Sequence, residues 1–359
     1  MKTEIACFIS PHGFGHATRA IALLENLRLK ITDLHIHLIT TVPQSLFKST
    51  SLDYSYHPLL VDVGLLQKDG FIFDFPATIE ALKRFIPFRS SELERLKKIC
   101  KSSDLILSDI SVLGITVAKQ CSIPAVLIEN FTWDWIYAHL DQAPEFQEFV
   151  PVFQELYGQA DFRIQAEPLC LKQPCDIRCH PISRKPKSAP DVLRKSLNSE
   201  GRKIVLITMG GISTDLPFIH LLSGYQDYYF ILAGQKQYTQ TGNNICALPY
   251  NTPLYHPDLI NVADLVICKS GYSTIAECCQ TSAAIACIHR DGFPESAALE
   301  QFVRENLAGT IYEQQQFFTG QWLTDLPQLV KRRTMPYPVN GAEEAAGFIT
   351  SLLPEESIA

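Results

Sequence analysis

Two histidines, two glycines and an arginine crowd into one short stretch, Pro11-His12-Gly13-Phe14-Gly15-His16-Ala17-Thr18-Arg19. Imidazole titrates near neutrality, so His16 or His12 is predicted to take a proton from a reacting hydroxyl. Asp109 follows a later apolar run. It either orients such a histidine, as the carboxylate of a catalytic dyad does, or caps the helix that follows. The other interpretation of the nonapeptide is a tight turn with a polar rim. Gly13-x-Gly15 opens a dinucleotide fingerprint, but Thr18 stands where its third glycine belongs. The next strand ends in Thr40-Thr41 with no acidic residue for a ribose, which disfavours a nicotinamide enzyme.

A second group of residues lies far along the chain. Thr208-Met209-Gly210-Gly211 closes an apolar run and suits a phosphate or sugar approaching backbone amides. The most specific stretch is 263–277, where an apolar strand enters Lys269-Ser270-Gly271-Tyr272-Ser273-Thr274. Ser273 or Thr274 is predicted to cap a helix whose first amides hold a diphosphate without metal. Glu277 then either accepts from ribose hydroxyls or completes a capping box with Thr274. His289-Arg290-Asp291, followed by Glu295, Glu300 and Gln301, forms a polar loop. It would hold sugar hydroxyls, with Arg290 neutralising a leaving diphosphate, or else be a solvated loop.

Such residues need a frame. Apolar runs at 5–10, 34–40, 104–108 and 124–128 alternate with helical patterns, and the rhythm restarts at 203–208, 228–233, 245–248, 265–268 and 284–288. Strand–helix alternation predicts parallel, doubly wound sheets, whose ligands gather beyond the carboxyl ends of the strands. Residues 69–103 are expected to be mostly helical. The proline-rich, basic stretch 166–202 is expected to be a connection and not a core element. The expected domains are 1–165, the linker 166–202, and 203–341, with a final helix at about 342–359 crossing back onto the first.

Composition narrows the classes. The 359 residues exceed what one core normally holds. A net charge of -7 provides no global attraction to nucleic acid. The 11 cysteines are scattered through apolar segments, and Cys170, Cys175, Cys179 and His180 lack structural-zinc spacing, so no metal is expected. No signal peptide or apolar span of about 20 residues is found, and a cytoplasmic location is expected. Lys83 to Arg89 mixes bases with apolar residues and reads as an acceptor loop or a buried helix, with weak contact with anionic lipid as the alternative. Trp133, Trp135 and Tyr137 would stack on a sugar or pack in a core.

These stretches, in this order, resemble the GT-B glycosyltransferases, particularly the UDP-GlcNAc transferases of peptidoglycan synthesis. The matches are Gly13, Gly15 and His16; Gly210 and Gly211; Gly271, Ser273, Thr274 and Glu277; and Glu300 with Gln301. A further resemblance, over nearly the whole chain, is to the glycosyltransferase-like region of plant L-arabinokinases. It is carried by residues 12–19, Ser108-Asp109, Asn130 to Tyr137, Lys269 to Tyr272 and Arg290-Asp291. The chain stops at Ala359, so the resemblance does not extend to a sugar-kinase domain.

The resemblance implies two Rossmann-like domains facing a cleft. A nucleoside diphosphate sugar, UDP-linked, would pass its sugar to a hydroxyl acceptor by inversion, with no metal or other cofactor. His16, His12 and Asp109 would be catalytic. The donor would meet Gly210, Gly211, residues Lys269 to Thr274, Glu277, Arg290, Asp291, Glu300 and Gln301. The acceptor side would hold Gly13, Phe14, Gly15, Arg19, Asn130 and Trp133. The alternatives are a UDP-sugar 2-epimerase-like enzyme and a non-catalytic nucleotide-sugar-binding protein.

Overall fold

A computed structural model describes residues 2–199, 201–210 and 214–358. The first half forms a seven-stranded sheet from β1 (Thr3–Ile9), β2 (Leu34–Ile39), β3 (Asp53–His57), β4 (Leu105–Asp109), β5 (Ala125–Glu129), β6 (Phe162–Ala166) and β7 (Ile177–Cys179). The order is β3-β2-β1-β4-β5-β6-β7, and every pairing is parallel. β1 and β4 lie side by side with Ile9 level with Asp109, so the turn after β1 and Asp109 share one sheet edge.

The second half repeats the plan with β8 (Lys203–Thr208), β9 (Tyr228–Gln235), β10 (Thr239–Thr241), β11 (Ile245–Pro249), β12 (Leu265–Lys269), β13 (Ala284–Ile288) and β14 (Gly309–Tyr312). Their order is β10-β11-β9-β8-β12-β13-β14. Only β10 runs antiparallel. The apolar runs of the sequence became central strands because both faces of such a sheet are covered. β4, β5 and β13 are buried at every position.

One apolar core runs from the first sheet through the Gly15–Arg28 helix to Tyr272, Ile275 and the second sheet. The Gly341–Ser351 helix joins that core through Ala342, Ala345, Ala346 and Ile349. Its start is fixed by Asn340, which accepts from Ala342 N–H and pairs with Ser183.

Two expectations change. The stretch 166–202 supplies β7 to the first sheet and a helix at Pro190–Ser196, so it is partly core. The prolines lie before and after β7, where its ladder does not need their missing N–H. Helices occupy Phe75–Phe85 and Ser90–Cys100, but 66–74 is a loop closed by a Gln67–Phe73 bridge. That loop drives Phe71 into the core of the second half, where it meets Phe318. In Lys83 to Arg89, Phe85 is buried and Ile86 and Phe88 pack on the first core, so the apolar residues are turned away from any membrane. Among the described residues no helix is long and apolar enough to cross a membrane.

Candidate active site

The turn after β1 ends where the Gly15–Arg28 helix begins. The loop carrying Gly64 crosses this turn. Gly64 has φ of +64°, and a Cβ there would lie 2.9 Å from His12 Cβ and 3.0 Å from Trp133. No other residue fits so close an approach.

His16 is the second residue of the Gly15–Arg28 helix. Its Nδ1 meets Asp109 Oδ1 at 2.7 Å. With that nitrogen donating, Nε2 keeps its lone pair. Arg19 grips the same carboxylate through Nε to Oδ2 at 2.9 Å and Nη2 to Oδ1 at 2.6 Å. Burial pushes the Asp109 carboxyl up, but Arg19 and His16 outweigh it and hold it below the usual range. Asp109 does not cap a helix. Ser111 performs that task for Val112–Cys121.

His12 is placed differently. Its Nδ1 accepts from Leu65 N–H at 3.3 Å, and its Nε2 is 3.4 Å from the Gln67 amide. Burial first, then His16, Arg290 and Lys269, hold its pKa well below the ordinary value. A neutral ring whose lone pair is taken cannot receive a second proton cheaply.

The hydrogen-bond chain continues across the cleft. Arg19 Nη1 donates to Asn130 Oδ1 at 2.7 Å, and Asn130 Nδ2 donates to Glu295 Oε1 at 2.7 Å. Burial raises the Glu295 pKa, only partly offset by Asn130 and the nearby cations. Glu295 opens the Glu295–Asn306 helix of the second half.

Facing the histidine turn, the second half presents two cations, one half-buried and one buried. Lys269 ends β12, and Arg290 follows β13. Arg290 stacks over Phe293 at 4.6 Å and Phe73 at 5.2 Å. Its Nε and Nη2 are buried without a hydrogen-bond partner. Burial lowers the Arg290 pKa to about 10. Burial and repulsion from Arg290 lower that of Lys269 to about 7. A desolvated cation with unmet hydrogen bonds is costly, and a bound anion would offset that cost.

One cavity is lined by both groups: His12 to His16, Arg19 and Asn130 from the first half, and Gly210, Lys269, Gly271 to Thr274 and Arg290 from the second. The two turns nearly touch. A Cβ on Gly15 would be 3.9 Å from Ser273 Oγ, and the Arg19 guanidinium lies 5.0 Å over the Tyr272 ring.

Other expected residues fall outside this wall. Trp133 is fully buried, donates Nε1–H to Asp62, and stacks on Tyr137, so it offers no face to a sugar. Ser270 donates to Ile288 O and Glu300. Glu300 also holds His289 at 2.8 Å. Gln301 reaches Glu305 on the surface, and Asp291 is exposed beside Gln314. Glu277 makes no capping box. Arg184 Nη2 and Nε bind its Oε1 at 2.7 and 2.8 Å, and His256 Nδ1 binds Oε2 at 3.0 Å. The Tyr272–Cys278 helix starts after Gly271 without any side-chain cap, so Ser273 and Thr274 are inside it. Gly211 lies outside the described residues.

The sequence argument missed Gln67 in the wall, gave Phe131 and Phe293 no site role, and named Thr208 and Glu295 only as part of their stretches. Glu295 carried a signal, since a carboxylate directly after Phe-Pro in a loop beyond a strand is well placed to face a cleft.

Two sheets of this order facing a shared cavity define the GT-B glycosyltransferase fold. The UDP-glucosyltransferase of Polygonum tinctorium, solved with 3,4-dichloroaniline, superposes with a TM-score of 0.65 at 12% identity over 98% of each chain. MurG of Acinetobacter baumannii does so with a TM-score of 0.57 at 16% identity, over 97% of this chain and 99% of that one. In sequence, the chain is 26% identical over 360 residues to L-arabinokinase of Arabidopsis thaliana, covering 96% of this chain and 34% of that protein. The chain therefore spans about a third of the curated relative it matches. No family model matches it.

Proposed function

We propose that this chain is a glycosyltransferase that moves a sugar from a nucleoside diphosphate, UDP-linked, to a hydroxyl acceptor. The observation that carries this is the pair Lys269 and Arg290, the second buried with two guanidinium nitrogens unpartnered, lining one cavity with the His16 of the His16–Asp109 pair. His16 Nε2 takes the acceptor proton. The acceptor oxygen bonds to the anomeric carbon as the bond from that carbon to the diphosphate oxygen breaks. Lys269 and Arg290 stabilise the departing charge, as fixed cations do for a developing oxyanion. Base and leaving-group cations come from opposite halves, which favours a single inverting displacement and supplies charge without a metal. Asp109 holds the His16 tautomer, and Arg19 holds Asp109. Eleven free cysteines suit a reducing cytoplasm.

The test is turnover with a panel of nucleotide sugars and hydroxyl acceptors, alongside thermal shifts. A binding nucleotide sugar should raise Tm, since it binds only the folded state. His16→Ala should lower turnover by about 10²- to 10⁴-fold, the usual worth of a general base, and leave the donor-induced shift in place. Equal loss of both would remove His16 as the base. Conversion of a nucleotide sugar with no acceptor added would point to an epimerase instead.

A further inference from the structure

The 66–74 loop belongs to the first half, yet it reaches three groups of the candidate site. Gln67 Nε2 lies 3.4 Å from His12 Nε2. At Gly70 the backbone passes so close that a Cβ would lie 3.9 Å from Lys269 Nζ. The Phe73 ring carries the Arg290 guanidinium, with Cζ 5.2 Å from the ring centroid.

The loop is a fixed support. Gln67 and Phe73 pair across its base. Asp69 Oδ1 accepts from Phe71 and Ile72 N–H at 2.7 and 2.9 Å. Asp74 accepts from Ala77 N–H at 3.1 Å and so caps the helix that follows. Phe71 pins the loop into the core of the second half.

Arg290 has no comparable tie. Among the described residues its Nε and Nη2 are buried without a hydrogen-bond partner. Its guanidinium rests on two rings, Phe293 from its own loop at 4.6 Å and Phe73 from the other half at 5.2 Å. The rings are 5.4 Å apart and tilted by 30°. A cation within about 6 Å of a ring centroid is drawn to the ring face. Stacking occupies the flat face of a guanidinium and leaves its in-plane N–H groups unspent. A carboxylate at position 73 would hold Arg290 too, but would take those donors and cancel the charge. An aliphatic side chain would leave a long, rotamer-rich arginine without a fixed orientation.

We infer that Phe73 is a positioning residue for the leaving group, its ring from the first half setting the orientation in which Arg290 of the second half meets the diphosphate. This rests on the reading of Lys269 and Arg290 as the cations of a glycosyl-donor site. It adds that the anion site is complete only when both halves contribute to it.

The experiment is calorimetry on the whole chain with UDP and inorganic pyrophosphate as probes. Phe73→Leu keeps an apolar side chain and removes the ring face, and should weaken both probes by about tenfold. Phe73→Tyr keeps the face and should bind nearly as tightly as the wild type. In an Arg290→Gln background, Phe73→Leu should cost nothing further, since the ring acts through the guanidinium. Phe73 is only half-buried, and denaturant midpoints check that each variant is folded. Should Phe73→Leu not fold, Phe73→Met takes its place in the same cycle. Unchanged affinity in Phe73→Leu, or an equal loss in both backgrounds, would overturn the inference and leave the donor site standing. No binding of either probe by the wild type would overturn both.

Discussion

The central residue-level feature is a mismatch of charge. Asp109 has two partners and is satisfied, while Arg290 Nε and Nη2 are buried without one. This sets a pH dependence. Lys269 is held at about 7, against an ordinary 10.5. In the unliganded protein the unfolded chain keeps this proton up to 10.5, whereas the folded chain releases it near 7. The unfolded state therefore binds more protons between those values, and this group makes stability rise with pH across that window. Anion binding behaves oppositely, since it needs the charged amine. Affinity for inorganic phosphate or UDP should fall as pH rises above 7, approaching tenfold per pH unit. Lys269→Met should abolish that slope in calorimetry between pH 6 and 9; an unchanged slope would detach Lys269 from the anion. Lys269 and Arg290 were legible in the sequence because each directly follows an apolar strand. Glu295 was placed in the polar loop but not among the donor contacts, because the family resemblance pointed to Glu300 and Gln301. Five residues turn a helix by about 500°, so positions 295 and 300 face different directions, and only the first looks into the cleft.

Among the elements, the connections carry as much as the strands. The 66–74 loop brings Gln67 to the cavity and Phe71 to the opposite core, although helix was expected from residue 69 onward. The segment 177–188 closes one sheet and locks Glu277. The last helix docks with almost no clearance, because a Cβ at Gly341 would sit 1.8 Å from His180 O. Backbone cannot yield as a side chain does. Gly341→Ala should destabilise the chain by about 1–3 kcal/mol, the usual cost of overpacking, read from denaturant midpoints. Gly347→Ala, with open space at its Cβ, should leave stability unchanged or slightly raised.

At the scale of the molecule, the two halves share one apolar core and are laced by Asn130–Glu295, Arg19 over Tyr272 and the 66–74 loop. They should unfold together. Trp133 and Trp135 report on the first half and Trp322 on the second. Fluorescence of Trp322→Phe, and of the double variant Trp133→Phe with Trp135→Phe, should give coincident guanidinium transitions. Two separated midpoints would show that the halves are independent. A single transition also means that ligands gripping both halves stabilise the whole chain.

The strand–helix alternation, the parallel sheets and the chemistry-bearing turns followed from sequence alone, because apolar runs, glycines and helix periods are local signals that the backbone obeys directly. What only the tertiary structure decided is partnership. Trp133 became core when Asp62 satisfied its indole, Glu277 was claimed by a linker arginine 93 positions earlier, and His16 rather than His12 kept an open ring nitrogen. Those outcomes depend on which distant group reaches a buried polar atom first, and no spacing along the chain encodes that distance.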